Sequence, residues 1–123
     1  MTPETGSTLA PAFINIHVTA VELGVKGDYT IICDPENIPI KGPTILNFEL
    51  VAPTPAHIHF ESKIHKKPDD KHQLSNPTVS TNGKYLTLSD VYTWTGEIDV
   101  LLYVTDKKKE HGFDPQIRNE PQK

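Results

Sequence analysis

A chain of 123 residues fits one domain and is long enough to bury a core without disulfides, and its single cysteine excludes an internal disulfide framework. The net charge is −4, and basic residues that are scattered or paired with acids lack the concentrated basic face that nucleic acid requires. No apolar run approaches the roughly 20 residues of a membrane helix.

Residues 1–11 read as a loose tail: they are polar, include Pro3 and Pro11, and lack the basic start and apolar core of a signal peptide. Together with the lone thiol this points to a reducing compartment, the cytoplasm. The domain proper then runs over 12–118, with 119–123 as a free end. Ile14, Ile16, Val18 and Ala20 alternate with Asn15, His17 and Thr19, the period of a strand with one face on a core, over about 13–22. Tyr29, Ile31 and Cys33 repeat the pattern in a second strand that stops at Asp34-Pro35, because proline cannot donate to a ladder. Residues 36–43 read as an extended connection.

Leu46, Phe48 and Leu50 share a face of a third strand, about 44–51, and Pro53-Thr54-Pro55 breaks it. Ile58 and Phe60 define a fourth strand, about 56–62, and the polar run 63–73 reads as a solvated loop. Asn82-Gly83 has the favoured chemistry of a type I′ hairpin, which would pair Val79 with Leu86. Ile98, Val100, Leu102 and Val104 alternate through the stretch that opens at Gly96 and closes at Asp106, which reads as the central strand. Phe113 and Ile117 are anchors for the tail. The pattern predicts no helix. About seven short strands suggest an all-β fold, a single antiparallel β-sandwich of Ig-like or Greek-key type, with a small barrel as runner-up.

Chemistry is sparse. His57, His59 and Glu61 alternate onto one strand face, a spacing at which two imidazoles and a carboxylate converge on a divalent metal, with His17 as a further ligand if its strand is a neighbour. The plainer reading is a polar, solvated face. Cys33 lacks the nearby histidine and the methionine of a copper site and reads as a small buried hydrophobe. Tyr85, Tyr92, Trp94 and Tyr103 would form an exposed aromatic patch for a partner protein, a glycan or another copy of the chain if they cluster; otherwise Trp94 plugs one end of the sandwich and the tyrosines cover the sheet. There is no nucleophile elbow and no glycine-rich phosphate loop. His65, His72 and His111 fall in charged loops.

Asp114-Pro115 is followed by Glu120-Pro121, behind a strand ending at Tyr103-Val104-Thr105-Asp106, and Asp34-Pro35-Glu36 has the same character. This resembles the small bacterial family called DP-EP, named for such dipeptides. The resemblance implies a β-sandwich and brings no active site with it. The expected function is a non-catalytic binding or assembly module for a protein partner or a second copy, joined through edge strands and needing no cofactor. A metal-binding protein or metal-dependent enzyme using His57, His59 and Glu61 is the alternative.

Overall fold

The computed structural model describes residues 12–24, 27–68 and 70–121, and the tail expected over 1–11 lies outside the described residues. Among the described residues ten strands form, in the order β1 (Ala12–Glu22), β2 (Tyr29–Asp34), β3 (Asn37–Ile40), β4 (Thr44–Leu50), β5 (His59–Lys67), β6 (Thr78–Val79), β7 (Tyr85–Asp90), β8 (Gly96–Thr105), β9 (Glu110–Phe113) and β10 (Gln116–Asn119). They make two sheets, β2-β1-β4-β7-β6 and β3-β10-β8-β5, with β9 also paired to β8. The inward faces share one core, in which Ile16, Phe48 and Leu86 of the first sheet join Ile38, Leu102 and Ile117 of the second. The sheets do not close into a barrel.

The all-β expectation holds, but seven antiparallel strands does not. Both sheets are mixed, because β1 runs parallel to β4 and β3 runs parallel to β10. The expected connection 36–43 contains β3, with Ile38 and Ile40 buried and Pro39 exposed, an arrangement an edge strand tolerates. The fourth strand is displaced to 59–67, into the expected loop. Phe60 pairs with Val104 and Ile64 with Leu102, so the chain between them bulges and carries its charges along an open edge.

The expected pairing of Val79 with Leu86 is present, but the turn is not type I′. Gly83 N–H donates to the Ser80 carbonyl at 2.9 Å, and of the two loop residues only Gly83 has a positive φ, +75°. Asn82 Oδ1 instead accepts from Lys84 N–H and from Ser80 Oγ, so its side chain stabilises a turn with negative φ at Asn82. A Cβ at Gly83 would lie 2.8 Å from His59 Cβ. Gly83→Ala therefore combines left-handed strain with a clash, and a loss of about 2 kcal/mol or more is expected in denaturant titration.

Of the free end expected over 119–123, residues 119–121 are held against the body, and 122–123 lie outside the described residues. β9 and β10 lie end to end along one edge of β8, with Phe113 opposite Leu102 and Ile117 opposite Ile98. Asp114-Pro115 makes the break between them, and Asn119, expected in the free end, is the last residue of β10 and 1% exposed. Glu120 N–H donates to the Ile40 carbonyl at 2.8 Å, and its own carbonyl accepts from the Tyr92 hydroxyl.

Candidate functional site

The His57, His59 and Glu61 set does not assemble. His57 lies in the turn before β5, and its Nε2 is 3.2 Å from the Tyr29 hydroxyl. His59 packs on Gly83, and burial, with Lys84 and Lys107 adding to it, lowers its pKa. Glu61 shares a hydrogen bond with Glu110 that raises its pKa, while Lys63, 2.8 Å from Glu110, holds Glu110 low. His17 stands apart, 3.9 Å from Glu49 on the first sheet. Among the described residues no group of three or more His, Cys, Asp or Glu side chains is placed to hold a metal ion. His57 precedes the strand, and Glu61 lies in the bulge between Phe60 and Ile64 and interacts with Glu110 of β9, so strand alternation does not carry the three onto one site.

The aromatic residues are also dispersed. Tyr85 looks outward from the first sheet and bonds Glu49, whereas Tyr103 looks outward from the second, under Lys63 and beside His65. Tyr92 and Trp94 pack against the core from the connection before β8, where Trp94 covers Gly96. Cys33 is partly buried against the core, and burial pushes its thiol up to about 12, with Glu36 and Asp114 acting in the same direction. It is an unreactive thiol at neutral pH.

Two features stand out that sequence reasoning missed. One is a cavity of about 800 Å³ at the end of the molecule where the β1–β2 turn, the 55–57 turn and the β8–β9 turn meet, lined by Glu22, Tyr29, His57, Asp106 and Lys108 among others. Behind it, Asp106 Oδ2 is 3.3 Å from His111 Nε2, and the His111 ring meets Tyr29 edge-on at 5.0 Å between centroids. Backbone N–H groups of Lys109 and Lys108, with His111, hold the Asp106 carboxyl down at about 2, while burial and the charges of Glu22 and Asp106 raise the Tyr29 hydroxyl. Asp106 thus stays ionised and closes the β8–β9 turn through Lys108, Lys109 and His111, whose ring rests on Tyr29 of β2. The His111 imidazole meets the Tyr29 ring and not its hydroxyl, which is the group within 3.2 Å of His57 Nε2.

The other feature is the free edge of β2. Leu23 N–H donates to the Asp28 carbonyl at 2.8 Å, which fixes the alternation of the β1–β2 ladder. Val21–Thr30, Thr19–Ile32 and His17–Asp34 are then the hydrogen-bonded pairs. On the opposite side of β1, Val18 accepts from Val51 N–H and Ala12 donates to the Pro43 carbonyl, which gives the same phase. The backbone groups of Tyr29, Ile31 and Cys33 therefore point away from β1, and no strand pairs with them among the described residues. Ile32 is 52% exposed on the outward face, where Val21 of β1 and Leu23, just beyond its end, are also exposed. The signal in the sequence is a run, Tyr29 to Cys33, with no charge and no proline, but only the strand order shows that it lies at an edge.

Fold and site together define a small all-β protein of two mixed sheets in which, among the described residues, β2 is an edge strand that packs beside β9 of the other sheet without pairing to it. The DP-EP family model matches residues 12–121, and the chain belongs to the DP-EP family. No curated protein matches it. No helix among the described residues is long and apolar enough to cross a membrane.

Proposed function

We propose that the protein is a non-catalytic assembly module that takes an extended segment of a protein partner onto the free edge of β2. The supporting observation is the contrast between β2 and the other open strands. β6, β3 and β9 are two to four residues long, and β3 carries Pro39. β5 is long, but it is bulged and carries Lys63, Lys66 and Lys67. These are the devices by which natural sheets discourage strand addition. β2 has six residues, Tyr-Thr-Ile-Ile-Cys-Asp, with none of them. Main-chain groups on such an edge give affinity to an added strand, and the flanking side chains give it register.

The test is titration of a synthetic peptide carrying residues 28–34 against the protein and two variants. Ile31→Pro removes an outward N–H without touching the β1 ladder, and Ile32→Lys places a charge beside the edge at an exposed position. Ile32→Lys is expected to change stability by no more than about 0.5 kcal/mol. The peptide is expected to bind the unaltered chain and to lose at least tenfold in affinity with each folded variant. Equal binding to all three would contradict the proposal.

A further inference from the structure

Resting on the reading of β2 as the assembly edge, we infer that the added strand is β2 of a second copy, antiparallel, with Ile31 on the two-fold axis. The outward backbone groups belong to Tyr29, Ile31 and Cys33. An antiparallel partner uses all of them in one register only: Ile31 opposite Ile31, and Tyr29 opposite Cys33 in both directions. Each such pair exchanges two hydrogen bonds, so this register forms about six and a slip of two residues about four. Thr30 of each copy then faces Ile32 of the other across a close, non-hydrogen-bonded pair on the outward face. That contact covers the exposed Ile32 side chain.

The edge favours its own copy over an unrelated chain because it has no charge between residues 29 and 33 by which to select one. It is self-complementary, and an isologous pairing closes after two copies. Asp28 and Asp34 of the two copies meet only at the ends, where Lys109 lies 3.5 Å from Asp28 and offsets the repulsion. The pairing extends the first sheet from five strands to ten across the axis, with β6 at both outer ends. A contact limited to one strand edge predicts a dimer that dissociates on dilution.

Sedimentation velocity over a hundredfold concentration range, together with a disulfide test of register, decides the matter. Thr30→Cys and Ile32→Cys are made separately in a Cys33→Ala background, since the close pair brings positions 30 and 32 of different copies within disulfide range. Under mild oxidation an equimolar mixture is expected to cross-link at least tenfold more than either variant alone, and the unaltered chain is expected to pass from monomer to dimer with concentration. Cross-linking of one variant alone as fast as the mixture would overturn the register. A chain that stays monomeric at every concentration yet binds the 28–34 peptide would overturn the self-pairing and leave the edge-binding reading standing. A monomer that also fails to bind the peptide would remove both.

Discussion

A chain ended after Asp114 is expected not to fold cooperatively, although it loses only nine residues. β10 is an interior strand of the second sheet, with β3 on one side and β8 on the other. Removing it strips Ile117, which is fully buried, and the Asn119 side chain from the core. It also strands β3, whose only strand partner among the described residues is β10 and whose Ile38 and Ile40 would lose their support. Deleting one large buried aliphatic side chain typically costs about 2–5 kcal/mol, and here a whole strand ladder goes with it. A small domain has about 5–15 kcal/mol in total. Near-ultraviolet circular dichroism and a thermal melt check this: loss of the tertiary signal and of the transition is expected, whereas a retained transition near that of the full chain would show β10 to be an appendage. A chain ended after Pro121 is the control and should melt normally.

Asn119→Ala is expected to lose about 3 kcal/mol, and Asp90→Asn to lose little or nothing at neutral pH. Asn119 Nδ2 donates to Asp90 Oδ1 at 3.1 Å, to Gln73 Oε1 at 3.2 Å and to the Trp94 carbonyl at 3.0 Å. Gln73 Oε1 also accepts from the N–H groups of Thr93 and Trp94. This network holds the connection from β7 to β8 against β10, and alanine would leave the Asp90 carboxyl buried without its side-chain donor. Two acceptors in it have no partner, Asp90 Oδ2 and Asn119 Oδ1. An amide at position 90 places a donor where Oδ2 now stands and removes a buried charge.

The pH dependence carries the same information. Burial raises the Asp90 carboxyl above its ordinary value, more than the donors Asn119 and Tyr92 lower it. A group whose folded pKa is raised contributes stability that is fully present below its unfolded value, near 3.8, and is lost as pH rises through the folded value. Asp90→Asn is expected to remove that decline from a plot of unfolding free energy against pH. An unchanged slope would show that another group causes it.

Much of the fold is legible in the chain because strand alternation is local. Ile16, Val18 and Ala20, then Leu46, Phe48 and Leu50, then Ile98 to Val104 all alternate visibly, and all are buried. β3 was hidden because its partner β10 is almost eighty residues away and runs parallel, so no hairpin turn announces it. β5 was misplaced because a bulge on a charged edge breaks the period that locates a strand. The Gln73–Asp90–Asn119 network joins three distant segments, and polar residues in a core carry no period at all. Alternation placed His57 and Glu61 on a continuous strand face, where a turn and a bulge separate them. The Asp-Pro and Glu-Pro dipeptides bracket β10: the first breaks the chain between two strands on one edge of β8, and the second ends the ladder beside Ile40.

Pairing at β2 requires that the amides of Tyr29, Ile31 and Cys33 face solvent in the single chain. Amide hydrogen exchange measured residue by residue at low and high protein concentration reads this in one experiment. Thr30, Ile32 and Asp34 donate into the β1 ladder and are expected to be protected throughout. Tyr29, Ile31 and Cys33 are expected to exchange fast in dilute protein and to slow at least tenfold as concentration rises. If those three exchange at one rate from the lowest to the highest concentration, β2 does not pair with a second copy. If they stay fast with the 28–34 peptide in excess as well, β2 is not the assembly edge.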